Sequence, residues 1–291
     1  MSGFLQILIS GGIVGCIYAM AALGFTIVFN ATRVVNFANG EFLMLGSVAL
    51  AGAITTLGMP LWLAVVLAIV GTGIVGLAMQ VLLLNHARST DELTLVMLTI
   101  GGGLALRGAA ALMFGREVAF VPDFGVFPML LAGDVYVVSQ GVWIVLTLIL
   151  VSTLLWFLFA RTSFGKAMKA ASQEPRAAAL CGIEPRRAAA TAFALAAALG
   201  GLAGALVTPI SAAFYENGVF FGLKGFAAAI FGGLGNPLGA VVGGLVIGIV
   251  ESFTAGYVSS GYKDGVAFIV LLLVLLLRPS GLLGRAFVSR V

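Results

Sequence analysis

Apolar stretches of about the length of a bilayer crossing recur from one end of this chain to the other, with no long polar segment between them. A helix rises ~1.5 Å per residue, so ~20 consecutive apolar residues cover the ~30 Å hydrocarbon core of a membrane. Runs that meet or approach this length fall at 5–29, 42–57, 61–84, 93–114, 140–160, 188–210, 238–255 and 264–278, with a shorter one at 222–234. Of the 291 residues, 61% are apolar and 9% charged, against roughly 45–50% and roughly 25% in soluble domains. A water-soluble fold has no way to bury that much apolar surface. The pattern predicts an all-α polytopic membrane protein, one domain over 1–291, with about eight transmembrane helices plus a short broken or re-entrant helix. The first run is apolar over 4–29, has no basic residue before it, and is too long for the apolar part of a cleaved signal peptide. The first helix is therefore expected to stay in the mature protein.

Charge distribution sets the expected orientation. The formal net charge is +4, but the basic residues are concentrated in two places, which reads as a topology signal and not as a nucleic-acid surface. Segment 161–187 holds Arg161, Lys166, Lys169, Arg176, Arg186 and Arg187 against Glu174 and Glu184. By the positive-inside rule this segment is cytoplasmic. The C-terminal Arg278, Arg285 and Arg290 agree, while 115–139, with Arg116 against Glu117, Asp123 and Asp134, belongs outside. With 161–187 and the C-terminus on the same side, an even number of crossings must separate them. The runs at 188–210, 238–255 and 264–278 make three, so 222–234 must cross or nearly cross, with Gly235, Asn236 and Pro237 as its inner turn.

Enzymatic motifs are missing or misplaced. A GxGxxG pattern at Gly71, Gly73 and Gly76 lies in the middle of an apolar run, where no strand–turn–helix can form, and no GxxxxGK[ST] phosphate loop occurs. His86 is the single histidine and reads as part of a solvated connector with Arg88, Asp91 and Glu92; neither HExxH nor GxSxG is present. Cys16 and Cys181 are too few for a disulfide framework or a ligand cluster. No cofactor is expected. Glycine is abundant, 40 residues, and recurs at small-xxx-small spacing as Gly11/Gly15, Gly200/Gly204, Gly235/Gly239, Gly239/Gly243 and Gly244/Gly248. Such positions let helix backbones approach closely in lipid.

Three polar features stand out from the apolar background. The first is 30–41, with Asn30, Thr32, Arg33, Asn36, Asn39, Gly40 and Glu41. It reads either as an inner loop, its Arg33 and Glu41 in water, or as irregular backbone of the kind that lines transport sites. On the second reading Asn36, Asn39 and Glu41 line or gate a pathway. The second is the pair of ionisable residues inside predicted spans, Arg107 and Glu251. A charge at a helix centre costs roughly 2.5–3.5 kcal/mol on insertion scales, so each must face protein, water or the interface. Lys263 is a candidate structural partner for Glu251. The third is 161–187 itself, long for a connector and rich in helix punctuation. Thr162 or Ser163 can cap one short helix, Pro175 can start a second, Gly182 can stop it, and Pro185 can start the next span. A structured inner loop of this kind suggests a docking surface for a cytoplasmic partner, the alternative being an amphipathic surface helix resting on anionic lipid.

The runs Val35-Asn36-Phe37-Ala38-Asn39-Gly40-Glu41, 162–183 with Gly165, Ala170 and Gly182-Ile183, 222–235, 239–251 and Leu277-Arg278-Pro279-Ser280-Gly281-Leu282-Leu283-Gly284 together resemble the branched-chain amino-acid permease family of ABC importers, in particular its LivH-like members. The resemblance covers essentially the whole chain. It implies a multi-pass subunit of the bacterial inner membrane that forms a pathway with a second related permease. Two ABC ATPase subunits and a periplasmic solute-binding protein are the further implied partners, with the lipid bilayer around them and no nucleic acid. The implied substrate is a branched-chain or other small amino-acid-like solute, and ATP hydrolysis belongs to the partners. The stretch 165–183 is similar to the family's coupling loop, with Gly165, Lys169, Ala170, Glu174, Pro175, Gly182 and Ile183 as its candidate residues; Lys169-Ala170-Ala171 replaces the glutamate-led pattern of other importers. Two alternatives remain at this point: a urea- or amide-type permease of the same family, and an ATP-independent channel or secondary transporter.

Overall fold

The computed structural model describes residues 2–87, 91–125, 130–132 and 135–284. Of the charges used above, Arg88, Asp134, Arg285 and Arg290 lie outside the described residues. The described residues form eleven α-helices, nine of them on the apolar runs and α6 and α7 in the basic segment: α1 (Ser2–Thr32), α2 (Asn39–Thr55), α3 (Leu61–Ala78), α4 (Glu92–Phe114), α5 (Ser139–Arg161), α6 (Ser163–Gln173), α7 (Pro175–Leu180), α8 (Pro185–Ser211), α9 (Asn217–Gly232), α10 (Pro237–Tyr257) and α11 (Lys263–Leu277). α3 runs on through a π turn at Met79–Leu83 and a 3-10 turn at Leu84–His86. Between α4 and α5 lies an antiparallel hairpin of β1 (Leu130–Ala132) and β2 (Val135–Val137).

Helix α1 spans the molecule and marks its two ends. Near its start, Gln6 accepts from the Tyr136 amide at 2.8 Å and donates to the Tyr136 carbonyl at 3.0 Å, tying α1 to the hairpin. Near its finish, Asn30 Nδ2 donates to the Gly235 carbonyl at 2.9 Å, tying it to the α9–α10 turn. α6 packs on α1, α5 and α8, so the basic segment 161–187 sits away from the hairpin, as the charge asymmetry requires. The α9–α10 turn runs from Gly233 to Asn236, and Pro237 is the first residue of α10 and not part of the turn.

Among the described residues, six helices are long and apolar enough to cross a membrane by length and composition: α1, α3 with its extension, α4, α5, α8 and α10. α2, α9 and α11 have 17, 16 and 15 residues, about 22–26 Å at ~1.5 Å per residue, short of a full crossing on their own. The expected broken element is thus the whole of α9, longer than 222–234, and α2 shares its short length.

The core forms where small residues remove the barrier between backbones. A Cβ on Gly15 would lie 2.8 Å from the Leu245 Cα, and one on Gly11 2.9 Å from the Ile249 Cα, so α1 and α10 meet backbone to backbone. On the other side, a Cβ on Gly200 would lie 2.8 Å from that of Phe42 and one on Gly204 2.8 Å from the Ser47 amide, bringing α8 against α2. Thr208 then donates to Ser47 Oγ at 2.8 Å. Close approach of this kind supplies the van der Waals contact that replaces the hydrophobic drive absent in lipid. Around the buried α1 and α8, helices α3, α4, α5 and α11 expose large apolar side chains such as Val70, Leu104, Ile149 and Leu272, a surface suited to lipid or to a second membrane subunit. Gly76 of the GxGxxG run packs on α8, where an added Cβ would lie 2.6 Å from the Phe193 carbonyl oxygen, which leaves that motif a packing role.

Gly15→Leu should therefore separate α1 from α10 and lower the thermal stability of the detergent-purified protein, by about 1–3 kcal/mol or more. Gly12→Ala, whose Cβ meets nothing within 4 Å, serves as the control and should leave it unchanged. Equal melting curves for both variants would show that the glycine contact does not hold the helices together.

Candidate functional site

The centre of the molecule is built around a break in the chain. α1 ends where Thr32 Oγ1 donates to the Val28 carbonyl at 2.9 Å and accepts from the Val34 amide at 3.2 Å. Arg33 follows with a φ of 60°, a left-handed conformation that costs a residue with a Cβ about 1–2 kcal/mol. The chain then folds back along α1, so that Asn39 Nδ2 donates to the Ala21 carbonyl at 3.0 Å. Ala21 lies roughly 16 Å before the end of α1 at ~1.5 Å per residue, so α2 starts beside the middle of α1.

That placement buries the first turn of α2. Asn36, Asn39 and Glu41 are all under 6% exposed, so these three side chains are packed in protein and not solvated. Arg33 and Glu41 do not pair: Arg33 sits over the Phe29 ring, 5.6 Å from its centroid, and Glu41 Oε1 accepts from Arg107 Nη2 of α4. The carboxylate is also favoured by its position in the first turn of α2, where the helix dipole is positive. Asn36 caps its own turn, its Oδ1 accepting from the Ala38 amide at 3.0 Å.

A half-open cavity of about 180 Å³ adjoins this ion pair, lined by Phe25, Phe37, Glu41, Leu104, Arg107 and Phe226 together with glycines of α4 and α9. Glu41 and Arg107 are its charged groups among the described residues. Of the three sequence-predicted pathway residues Glu41 lines it, and Asn36 and Asn39 do not. Glu41 Oε2 and Arg107 Nε are buried without a hydrogen-bond partner among the described residues, so each charge keeps spare bonding capacity beside the cavity. A larger cavity of about 370 Å³ lies at the far ends of α2 and α4, lined in part by Thr55, Phe114, Glu117 and Tyr215.

Glu251 belongs to a different cluster. Lys224 of α9 is 2.7 Å from Glu251 Oε1, and Tyr18 of α1 donates to Glu251 Oε2 at 2.7 Å. Lys224 reaches Asp264 of α11 at 2.7 Å as well, with Lys263 3.7 Å from Glu251. Lys263 is thus the outlying partner and Lys224 the principal one. The sequence reading missed Lys224 because it sits in the short run 222–234. The signal was there: a lysine within Gly222-Leu223-Lys224-Gly225 is as costly in lipid as Glu251, and the two offset each other.

The basic segment folds as two short helices. Thr162, and not Ser163, is the cap of α6, its Oγ1 accepting from the Gly165 amide at 3.1 Å. Gly165 lies so close to α5 that a Cβ there would fall 2.7 Å from the Phe159 Cα. Met168 and Ala171 bury the same face, Ala170 packs partly behind them, and Lys169 Nζ donates to the Phe159 carbonyl at 3.3 Å. Glu174 breaks the helix with a φ of −144° and Pro175 opens α7. The Gly182 amide donates to Ala179 and that of Ile183 to Ala178, both at 3.0 Å, with a φ of +80° at Gly182. This is a complete Schellman stop, and Pro185 starts α8 three residues later. Leu180 at the tip is 91% exposed.

A family model described as the permease component of the branched-chain amino acid transport system matches residues 7–275. The chain belongs to this family. The permease is 31% identical over 303 residues to the high-affinity branched-chain amino acid transport system permease protein LivH of Escherichia coli K12, covering 99% of this chain and 98% of that one. It is 33% identical over 305 residues to BraD of Pseudomonas aeruginosa, described in the same words, again covering 99% and 98%. A LivH permease protein of Methanocaldococcus jannaschii is 27% identical over 286 residues, covering 91% and 88%. No solved structure matches with significance. With its helices, these relatives make the permease a multi-pass membrane protein.

The central ion pair gives a quantitative expectation. Removing one partner of a buried pair typically costs 3–5 kcal/mol (about that order), whereas removing both can be near neutral. Arg107→Met should lower thermal stability more than the double variant Glu41→Gln/Arg107→Met does. Additive losses in the double variant would mean that the two side chains do not act as a pair.

Proposed function

We infer that this permease forms the translocation pathway of an ATP-driven importer for branched-chain or related small amino acids in a bacterial inner membrane. A second related permease completes the pathway, a periplasmic binding protein delivers substrate, and two ATPase subunits dock on the cytoplasmic face and hydrolyse ATP. The whole-length relationship to branched-chain amino acid permeases carries this reading. The form of 161–187 supports it: two short helices, capped at Thr162, restarted at Pro175 and stopped at Gly182, hold an exposed tip at Leu180 beyond the bundle. An ATP-independent channel has no use for a rigid element there.

On this reading α6 and α7 transmit ATPase closure to α5 and α8, which they join directly. Gly165 and Lys169 fix α6 to the end of α5, while Gly182 and Ile183 set the angle at which α8 departs. Asn36 and Asn39 hold the break between α1 and α2 in place, and Glu41 faces the pathway.

The test is Gly182→Val. A Cβ at Gly182 meets nothing within 4 Å, so the variant has no steric clash, but the left-handed backbone penalises it by about 1–2 kcal/mol, more for a β-branched side chain. Membrane insertion should survive because the apolar spans are untouched. Uptake into proteoliposomes holding the full importer should fall several-fold, while basal ATPase activity persists without stimulation by the binding protein. Wild-type uptake and wild-type stimulation in Gly182→Val would remove the coupling role of this turn.

A further inference from the structure

The cavity beside Glu41 has a chemistry that points to one class of ligand. Its walls are apolar, from Phe25, Leu104 and Phe226, and its polar content is one carboxylate and one guanidinium from different helices. Glu41 is 5% exposed, yet its Oε2 has no hydrogen-bond partner among the described residues; Arg107 Nε is in the same condition. A guanidinium offers five donors and a carboxylate about four acceptor sites, so the pair uses a fraction of its capacity. Gly218 lets α9 approach this oxygen closely, since a Cβ there would fall 2.5 Å from Glu41 Oε2.

We propose that this cavity is an intramembrane station for the zwitterionic head group of an aliphatic α-amino acid. The substrate carboxylate takes Arg107, its ammonium takes the Glu41 carboxylate, and its side chain lies against Phe25, Leu104 and Phe226. Entry exchanges one ion pair for an alternating row of four charges, Glu41, ammonium, carboxylate and Arg107, so no charge is left unpaired in a medium where an unpaired charge is costly. In the empty state Glu41 and Arg107 neutralise each other and close the station to a lone ion. A neutral polar solute such as urea brings no charges to complete the row.

This proposal rests on the importer reading, and its test separates the two. The complex of this permease with its second permease and ATPases, in nanodiscs without the binding protein, is titrated with radiolabelled L-leucine, with L-leucinamide, 4-methylpentanoate and urea as competitors. Leucinamide lacks the carboxylate and 4-methylpentanoate the ammonium, so each should compete at least about tenfold more weakly than unlabelled leucine, with urea weaker still. Glu41→Gln keeps a hydrogen-bonding group beside Arg107 but removes the anion. It should weaken leucine about tenfold or more and raise the relative standing of 4-methylpentanoate, a change of selectivity that loss of packing alone would not produce. Equal competition by leucine and the single-charged analogues in the wild-type complex, which needs no variant to fold, would overturn the station. So would leucine binding unchanged in Glu41→Gln. Absence of leucine uptake by the complete wild-type importer with its binding protein would instead overturn the amino-acid reading, and the station with it.

Discussion

Six residues of largely buried, non-helical backbone between α1 and α2 must find partners within the helix bundle, and much of the structure answers that requirement. The Arg33 amide returns to the Phe29 carbonyl at 2.9 Å, that of Val34 to Thr32 Oγ1, that of Phe37 to Thr99 Oγ1 of α4 at 3.2 Å, and that of Ala38 to Asn36 Oδ1. Buried irregular backbone survives only under such satisfaction. Thr99 therefore fixes α4 beside the break, and Asn39 fixes α2 against α1. With those two distances set, Glu41 and Arg107 come within bonding reach and the cavity forms beside them.

The two buried ionic clusters differ in how many helices they join. In the Lys224 cluster, Tyr18, Glu251 and Asp264 surround the ammonium, and the network joins α1, α9, α10 and α11. It acts as a clamp on the short helix α9. A further clamp holds the other end of α9, where the Leu282 and Leu283 amides donate to the Phe231 and Gly232 carbonyls at 2.8 and 3.0 Å, satisfying groups a helix end leaves open. The Glu41–Arg107 pair is incompletely bonded and faces a space.

Much of this was legible in the sequence wherever a single residue type has a single physical use. The apolar runs located the helices because lipid tolerates little else, and Pro175, Gly182 and Pro185 located the stops and starts of 161–187 because their backbone preferences are local. The glycine spacing announced helix contact at Gly11/Gly15 and Gly244/Gly248, but which helix met which depended on the tertiary arrangement. The pairing of Arg107 with Glu41, and not of Arg33 with Glu41, was hidden for the same reason: it needs the chain to fold back along α1, which no local pattern in 30–41 specifies. Helix number escaped because α2, α9 and α11 fall between a turn-length segment and a full crossing. The choice of Thr162 over Ser163 as a cap, one residue apart, lies below what propensity resolves.

The central claim is that 161–187 is the face on which the ATPase acts, and a native thiol gives direct access to it. Cys181, next to the exposed Leu180, is accessible, whereas Cys16 is buried in α1. A photoactivatable maleimide attached to Cys181 in membranes that contain the complete importer should, on illumination, join the permease to the ATPase subunit, and should reach Cys181 only from the cytoplasmic side. Labelling of Cys181 from outside intact cells, or cross-linking to the binding protein in place of the ATPase, would contradict the account.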